Sequence, residues 1–370
     1  MKKRCKILSL WTIFVAQTLL AASAYANTDN YSEFDGYNGC FGNAGNSFGV
    51  GLGADFLWWK PCVDNLDYAI KFAEPTSESL ENNDENEGFL SDIKSIHLDW
   101  EPGVRVMAWA FNRECNWGAG ASWTYVKICD TASIRITEDQ FFNDGISIMN
   151  PFVIGQSGIA ARGSFDACYH DWDLLALHSC FYGNCHRISP YAGVAGMVFN
   201  QKINDRITPV GMFENSKGLD QEENGDSIPT KWRGDYWGVG FRVGLCYEFA
   251  FSRCFNFFAK ADGSLLAGKV NRNRLSTQAQ IRGTFVDASY NDPRNRCHFV
   301  PGYHIAAGFT YDVCLYNLDL LLRLGYEFVN WHNLSSPRIL VSQTGNLFPI
   351  ATNTRTLSFH GLLAGLGISF

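Results

Sequence analysis

The feature that most constrains the fold is an alternation of apolar with small or polar residues, repeated along runs of about ten residues. In the run DYWGVGFRVGLCYEF, every second residue from Trp237 to Phe249 is apolar, and the residues between them are glycines, Arg242, Cys246 and Glu248. The runs PGYHIAAGFTYDV, LDLLLRLGYEFV and WGAGASWTYVK alternate in a similar way. A period of two places successive side chains on opposite faces of a strand. About ten residues also suffice for a tilted strand to cross a bilayer, so these runs predict membrane-crossing β-strands.

The C-terminus is one more such run, HGLLAGLGISF, and its last residue is Phe370. An apolar alternation that stops at a terminal aromatic residue resembles the recognition signal read by the barrel-assembly machinery of the outer membrane. Gly365, Ile368 and Phe370 carry this match, whereas Leu363 stands where that pattern prefers a polar residue. We therefore expect the last run to be the final strand of a barrel that this machinery inserts.

The N-terminus has the three parts of a secretory signal peptide. The basic segment MKKRCK is followed by an apolar run, Ile7 to Leu20, and then by the small-residue segment ASAYA. This order predicts cleavage after Ala26 and export of the remainder of the chain. We therefore divide the chain into a signal peptide (residues 1–26), an N-terminal periplasmic segment (27–46) and a transmembrane β-barrel (47–370).

Composition and charge favour an exported β-protein and argue against a nucleic-acid partner. The formal net charge of the chain is −7, and loss of the four positive charges of the signal peptide changes it to −11. Binding to phosphate backbones needs positive surfaces. The 35 glycines and the 15% of aromatic residues suit strands, tight turns and the aromatic girdles of a membrane protein. The expected surroundings are therefore outer-membrane lipid.

The connections between the runs alternate between short and long. The short ones lie near 112–116, 181–186, 250–254 and 314–317, and the long ones span 60–98, 128–161, 201–234, 269–301 and 331–354. Outer-membrane barrels have short periplasmic turns and long outer loops. The runs predict an all-β, antiparallel up-and-down barrel with ten strands, or twelve or more if VDNLDYAIKF, SDIKSIHL and AQIRGTFVDASY pair as additional strands. A soluble β-sandwich or β-helix would alternate in the same way, but aromatic residues near both ends of the apolar faces favour the membrane barrel.

Several blocks of the sequence resemble one family. These blocks are GADFLWWKPCVDNLDYA, WEPGVRVMAW, HDWDLLA, GDYWGVGFRVGL, FNFFAKADGSLLAG and LLLRLGYEFVNW. In this order they look like the Legionella-type major outer membrane proteins, with similar proteins among the MOMP-like porins of chlamydia-related bacteria. The resemblance runs from about Gly51 to Phe370. It implies an abundant porin-like or structural barrel, and it brings no catalytic residues.

The charged residues of the alternating runs are expected to face the barrel interior. We predict the following lumen-lining residues: Arg105, Lys127, Arg242, Glu248, Lys260, Asp262, Asp319, Arg323 and Glu327. Mixed charges suit a wet interior that lets small solutes diffuse. They equally suit ion pairing that fills a narrow barrel, because barrels near eight strands are plugged by side chains and open channels appear near sixteen. The function expected is porin-like diffusion; the alternative is a closed structural or adhesin-type barrel acting through its outer loops.

Twelve cysteines are many for this length, and eleven remain after loss of the signal peptide. An exported protein can form disulfides, and an odd number leaves at least one thiol free or joined to another chain. The candidate disulfide cysteines at the periplasmic end are Cys40, Cys115, Cys180, Cys185, Cys246, Cys254 and Cys314. The MOMP resemblance implies disulfide-linked envelopes, so we expect some of these cysteines to bridge to other subunits or to other envelope proteins.

Signals for metal, cofactor or catalytic sites are weak. Cys180, Cys185 and His186 lack the second ligand pair of a zinc site, and the sequence has neither a G-x-S-x-G nor an H-E-x-x-H stretch. His97 with Asp99, and His170 with Asp171 and Asp173, are the available acid–base pairs. We expect no metal, no cofactor and no enzymatic activity.

Overall fold

The computed structural model describes residues 48–73, 91–112, 114–142, 144–154, 157–182, 185–209, 227–252, 254–281, 284–291, 297–315, 318–343 and 346–369. The signal peptide, the segment 27–46 with Cys40, and Phe370 lie outside the described residues, so the boundaries expected for these parts stay predictions.

The described chain consists almost entirely of strands with one short helix. In chain order these are β1 (Phe48–Val63), β2 (Asp67–Ala73), β3 (Ser91–Ser95), β4 (Glu101–Asn112), β5 (Trp117–Arg135), α1 (Glu138–Phe142), β6 (Ile146–Met149), β7 (Val153–Ile154), β8 (Ser157–Gly158), β9 (Ala160–His178), β10 (Cys180–Tyr182), β11 (His186–Thr208), β12 (Ile228–Ala250), β13 (Phe255–Ile281), β14 (Thr284–Asn291), β15 (His298–Leu315), β16 (Leu318–Gln343) and β17 (Asn346–Ser369). No helix of the described residues is both long and apolar enough to cross a membrane.

Ten strands close into an antiparallel barrel. Around the ring they follow the order β1, β4, β5, β9, β11, β12, β13, β15, β16 and β17. The ring is closed because β17 pairs with β1, from Ser369 opposite Gly51 to Leu357 opposite Val63. The prediction of a ten-stranded antiparallel barrel is confirmed.

The three segments considered as additional barrel strands lie outside the barrel ring. VDNLDYAIKF and SDIKSIHL contain β2 and β3, which belong to a separate sheet with the order β3-β2-β6-β8. AQIRGTFVDASY forms the far end of β13 and β14, which pair with each other from Arg274 opposite Asn291 to Ile281 opposite Thr284. These segments therefore extend or cover the barrel without widening it.

An apolar belt surrounds the barrel. Its members are exposed although they are large and hydrophobic: Leu52, Phe56, Val104, Val106, Leu174, Val194, Val239, Phe241, Val243, Leu265, Ile305, Leu322, Leu324, Leu362, Leu366 and Ile368. Phe241 is 74% exposed. Soluble monomers rarely expose continuous apolar patches of this kind, whereas a lipid-facing surface requires one. The belt therefore marks the part of the wall that lies in the membrane.

Aromatic side chains border the belt at both ends. At the end with the short turns, which we take as periplasmic, Phe255 stacks on Phe309 with ring centroids 5.2 Å apart. At the opposite end, Trp123 stacks on Tyr125 with centroids 6.0 Å apart, and Trp237 is exposed. Amphipathic aromatic rings favour the headgroup level of a bilayer, so these two girdles locate its two surfaces.

The long connections are largely strands, which corrects the expectation of loops. The link 201–234 continues β11 and β12 in register from Gln201 opposite Gly234 to Ile207 opposite Ile228. The link 331–354 is likewise a continuation of β16 and β17 that ends at Gln343 opposite Asn346. The sequence there is too polar to show membrane alternation, but cross-strand hydrogen bonds hold the chain extended beyond the bilayer. The wall therefore rises well above the outer aromatic girdle.

The small four-stranded sheet covers the inner side of this raised wall. Tyr68 of β2 packs on Gly163 of β9, where an added Cβ atom would lie 2.3 Å from the Cβ of Tyr68. Asn150, which follows β6, donates from Nδ2 to the Oγ1 atom of Thr230 on β12 at 2.9 Å. Tyr68 and Asn150 are both buried. The outer mouth of the barrel is therefore partly filled by its own connecting segments.

Candidate functional site: the barrel interior

The lower half of the interior, toward the periplasmic end, contains a network of buried ion pairs. Arg242 of β12 donates from Nη1 to Asp173 at 2.7 Å and from Nη2 to Asp171 at 3.1 Å. Its Nε atom donates to Ser264 at 2.8 Å and lies 3.5 Å from the carboxylate of Asp262. Arg242 is 4% exposed, so its charge is balanced by protein groups instead of water.

A second arginine joins strands on the other side of the network. Arg105 of β4 binds Glu327 of β16 through two hydrogen bonds, at 3.0 Å and 3.2 Å, and lies 3.5 Å from Asp55. This forked geometry is the strongest form of arginine–carboxylate pairing. Arg323 also forms an ion pair with Asp55. The two arginines therefore tie β1, β4 and β16 together.

His304 of β15 connects the two halves of the network. Its Nε2 atom lies 2.9 Å from Glu327 and its Nδ1 atom lies 3.3 Å from Asp262. Asp262 also accepts a hydrogen bond from the hydroxyl of Tyr191 at 2.9 Å and lies 3.4 Å from Lys260. Because acidic and basic side chains alternate through the network, the lower interior carries little uncompensated charge.

A layer of large apolar side chains lies directly above the network. Trp59, Tyr169, Trp331 and Phe359 are each at most 1% exposed. The ring of Phe359 lies 5.0 Å from Trp59 and 4.8 Å from Tyr169. The guanidinium groups below face this layer: Arg105 is 5.8 Å from the Trp59 ring centroid, and Arg242 is 6.0 Å from the Trp331 ring centroid. We call these four residues the aromatic layer.

Two hydrogen bonds cross the full width of the barrel. Trp331 of β16 donates from Nε1 to the hydroxyl of Tyr169 on β9 at 2.9 Å, and these strands are five places apart in a ring of ten. Arg355 of β17 donates to Gln201 on β11 at 3.2 Å, again between opposite strands. Side chains from opposite walls therefore meet inside the barrel at this level.

A polar cavity of about 240 Å³ lies below the aromatic layer. Trp59 and Tyr169 line its upper end, and Arg187, Glu248 and Asn256 line its lower part toward the periplasmic end. Arg187 and Glu248 form an ion pair there. The interior therefore combines a charged periplasmic half with an outer half in which apolar side chains predominate and a few polar groups, such as Arg355 and Gln201, are buried.

Eight of the nine predicted lumen-lining residues lie on the inward face of the wall. Seven of them are Arg105, Arg242, Glu248, Lys260, Asp262, Arg323 and Glu327, which all line the cavity or its ion pairs. The eighth is Asp319, which lies near the periplasmic end of β16, four residues before Arg323 and so on the same face.

Lys127 is on the opposite face, so the prediction for it is wrong. Its neighbours Val126 and Ile128 are both fully buried toward the interior, and Lys127 itself is exposed on the outside of β5. Lys127 has the same strand parity as Trp123 and Tyr125, which lie at the outer girdle. Because β5 continues above the membrane, a charged side chain can face outward at this height.

Sequence reasoning missed the parts of the interior that close it. Each residue of the aromatic layer lies an even number of positions along its strand from an inward-facing residue, as Trp59 does from Asp55. The alternation of side chains along each strand was therefore enough to predict that these four residues face the interior. Asp55 was also missed, and Asp171 and Asp173 were considered only as acid–base candidates. His170 points outward beside Tyr125, with ring centroids 4.9 Å apart, so it cannot act together with the inward pair Asp171 and Asp173.

The proposed assembly signal lies at the closing seam. Gly365 of β17 faces inward, where an added Cβ atom would be 2.1 Å from Oδ1 of Asp55. Ile368 faces outward, opposite Leu52 of β1. Phe370 lies outside the described residues, and the role of all three residues in assembly stays a prediction.

The cysteines whose side chains the structure describes are free thiols; they are Cys62, Cys115, Cys129, Cys168, Cys180, Cys185, Cys246, Cys254 and Cys297. Cys115 is exposed in the turn between β4 and β5. Cys246 faces inward on β12, with its Sγ atom 3.9 Å from Glu248, so it does not face a neighbouring barrel. Cys314 lies at the periplasmic end of β15, opposite Asp319.

The closed ring, the apolar belt and the two girdles define an outer-membrane β-barrel. The family described as the Legionella pneumophila major outer membrane protein precursor matches residues 46–370. The chain therefore belongs to the Legionella major outer membrane protein family, as its sequence blocks suggested, and it is located in the bacterial outer membrane.

Solved structures with a similar course of the chain are also outer-membrane proteins. The outer membrane protease OmpT of Escherichia coli is 10% identical, with a TM-score of 0.39, and the match covers 88% of this chain and 99% of that one. A FadL homologue of Pseudomonas aeruginosa is 8% identical, with a TM-score of 0.21 and coverages of 88% and 90%. At these levels neither protein's activity is transferred to this chain. Comparison with curated proteins finds no match.

The buried position of Arg242 leads to a stability prediction. The variant Arg242→Met leaves Asp171 and Asp173 buried without their cation, and breaking a buried pair in this way costs ~3–5 kcal/mol. The free energy of unfolding in lipid vesicles, measured by urea titration, should fall by that amount. Arg233→Met is the matched control, because Arg233 is a half-exposed arginine on the same strand and its loss should cost ~0–1 kcal/mol.

Neutralising the acids should restore much of this loss. In the triple variant Arg242→Met, Asp171→Asn, Asp173→Asn, no uncompensated charge remains buried. Equal unfolding free energies for Arg242→Met and Arg233→Met would show that the network contributes nothing to stability.

Proposed function

We propose that this protein is a closed structural barrel that holds a rigid β-extension on the outer surface of the cell. The hydrogen bond between Trp331 and Tyr169 carries this proposal, because it joins opposite walls at a level where Phe359 packs against both Trp59 and Tyr169. A hydrated solute needs a continuous water-filled path through the barrel. Rings that pack against each other occupy the space that this water would need.

The raised wall supports the second half of this proposal. Beyond the outer girdle, β11 and β12 stay paired as far as Ile207 opposite Ile228, and β16 and β17 as far as Gln343 opposite Asn346. Strands of this length present fixed surfaces instead of mobile loops. A scaffold or adhesin role needs such surfaces, and it needs no passage through the interior.

Porin-like diffusion is the second candidate function. The polar cavity of about 240 Å³ favours it, because charged side chains such as Arg105 and Lys260 line a space that reaches toward the periplasmic end. For diffusion to occur, the aromatic layer above this cavity has to open. The two candidates therefore differ in the behaviour of one layer of side chains.

A liposome-swelling assay separates these functions. Vesicles containing the folded wild-type protein, placed in an iso-osmotic arabinose solution, should swell no faster than protein-free vesicles. The double variant Trp331→Ala, Phe359→Ala removes two rings of the layer and should swell measurably faster. The matched control is Trp117→Ala, Phe181→Ala, which removes two exposed rings at the periplasmic end and should behave like the wild type.

Folding of each variant is verified by its shift in gel mobility on boiling. Rapid swelling by the wild-type protein would overturn the closed-barrel proposal and favour the porin. If the opened variant folds but swells no faster than the wild type, the aromatic layer is not the barrier.

We further propose that periplasmic cysteines link this barrel to neighbouring subunits or envelope proteins. Cys115 is exposed at a turn, and Cys180, Cys185 and Cys254 are partly exposed at the same end. Thiols in an oxidising compartment form disulfides when they meet. A barrel whose backbone hydrogen bonds are all formed gains little stability from disulfides within the chain. Disulfides between chains would instead strengthen the cell envelope.

Non-reducing gels of alkylated envelopes test this proposal. The wild-type protein should run in high-mass bands that collapse to the monomer on reduction. Cys115→Ser should weaken these bands, whereas Cys246→Ser should leave them unchanged because Cys246 faces the interior. A wild-type protein that runs only as a monomer would overturn the proposal.

We also infer that the chain acts without catalysis. Of the sequence candidates, Asp171 and Asp173 are engaged by Arg242, while His170 lies on the other face of β9. His97 and Asp99 are exposed, and the backbone N–H of Asp99 donates to the carboxylate of Asp130 at 3.2 Å. The histidines and carboxylates of these two candidates therefore do not act together as acid–base pairs.

A further inference from the structure

The outward face of five neighbouring strands carries a concentration of basic residues above the outer girdle. It belongs to β5, β9, β11, β12 and β13. We call it the basic face, and its members are Lys127, Arg162, Lys202, Arg206, Lys231, Arg233, Arg272 and Arg274, all of which are exposed. The acidic residues on the same outward rows are Asp166 and Asp235.

Strand register shows that these residues form continuous rows. Lys202 lies opposite Asp166 on one side and Arg233 on the other, and Arg233 lies opposite Arg274. The next row upward brings Lys231 opposite Asn204. Neighbouring strands are about 4.8 Å apart and alternate outward residues about 7 Å apart, so the charges lie close enough to act on one anion together.

The few acids of the basic face do not neutralise it. Asp235 lies 3.4 Å from Arg233 and 3.6 Å from Arg272, yet these arginines remain 50% and 56% exposed. Asp166 accepts a hydrogen bond from the thiol of Cys129 at 3.1 Å. Eight bases thus oppose two acids on these rows, in a chain whose formal net charge is −7.

The height of the basic face matches the polar region of the outer leaflet. Lys127 follows the girdle residue Tyr125 by two positions, and Arg233 precedes the girdle residue Trp237 by four. At a rise of about 3.3 Å per residue, these side chains begin about 7–13 Å above the girdle along the strands. Aromatic rings of a girdle sit at headgroup level, so the basic face begins where lipid phosphates and sugars lie.

A groove of about 450 Å³ runs along the basic face. Arg162, Lys202, Arg206 and Lys231 surround it, and Ser164 and Asn204 form part of its floor. Asp205 also borders the groove, but it is fully buried. Asn204 donates from Nδ2 to the hydroxyl of Ser164 at 3.1 Å. Four bases around a polar floor can hold a phosphate with a sugar attached, since lysine and arginine bind phosphate through charge-assisted hydrogen bonds.

The described outward side chains on the opposite side of the barrel form no such face. There, β1 and β17 present Lys60 opposite His360 and Cys62 opposite Ser358 at the outer girdle. Among the described outward side chains, basic residues are therefore concentrated on one side of the wall, and Lys60 lies on the other. A general need for solubility would not produce this asymmetry.

We propose that the basic face is a binding site for the phosphorylated headgroup of an outer-leaflet glycolipid, the lipid A portion of lipopolysaccharide. The acyl chains of the lipid would lie on the apolar belt around Val194 and Val239. Its phosphates would face Lys202 and Lys231, with its sugars over the groove. Such a contact fixes one side of the barrel to the leaflet without any role for the interior.

Binding of fluorescent lipid A to the folded protein in mixed micelles tests this proposal. Each basic residue near an anionic lipid surface contributes ~1 kcal/mol. The variant Lys202→Glu, Lys231→Glu should therefore weaken binding of bisphosphorylated lipid A by at least about tenfold. The milder variant Lys202→Gln, Lys231→Gln should lie between this variant and the wild type.

Lys60→Glu is the matched control, because Lys60 lies at the girdle on the opposite wall, and it should bind like the wild type. Dephosphorylated lipid A should bind the wild-type protein as weakly as phosphorylated lipid A binds the Lys202→Glu, Lys231→Glu variant. Heat-dependent gel mobility verifies that each variant is folded.

Three results would overturn the proposal. The first is an unchanged affinity of the folded Lys202→Glu, Lys231→Glu variant. The second is equal affinity of the wild type for dephosphorylated lipid A, which would indicate contact with acyl chains only. The third is full displacement of lipid A by millimolar inorganic phosphate, which would indicate a site for free phosphate.

Discussion

The whole structure depends on the pairing of its first and last wall strands. In the bilayer core no water is present to satisfy backbone N–H and C=O groups, so a sheet that crosses the membrane has to close on itself. Here β17 closes the ring on β1 over the full membrane height, from Ser369 to Leu357. The small residues at the inner seam, such as Gly365 against Asp55, let the two strands approach while the charged network lies beside them.

Ring closure with ten strands also determines what the interior can contain. A barrel of this size has a narrow interior that side chains can fill, and the two halves are filled in different ways. In the periplasmic half, Arg242 and Arg105 bind carboxylates from several strands. In the outer half, Trp331 and Tyr169 meet across the diameter. The ion pairs lie at the same height along the barrel as the lipid-facing belt. They therefore connect the wall strands at a level where the surrounding lipid offers no polar partners.

Much of this architecture could be predicted from the period-two pattern. The pattern predicted a barrel of about ten to twelve strands, and it placed Arg242 and Glu327 inside. It did not show whether inward charges face water or each other, because that depends on which strands lie opposite. Trp331 and Tyr169 are 162 residues apart in sequence, and only the ring order brings them together. Lys127 was misplaced because its charge was given more weight than its parity with Trp123, and because the strands were expected to end at the membrane surface.

Hydroxyl-radical footprinting of the protein in lipid nanodiscs measures whether water reaches the aromatic layer. Met107 lines the polar cavity, whereas Met197 and Trp331 are at most 1% exposed in the apolar half. For a closed barrel, we expect that Met107 is oxidised while Met197 and Trp331 remain unmodified over the same exposure. Oxidation of Trp331 and Met197 at the rate of Met107 would show that water passes the layer, and it would contradict the closed barrel.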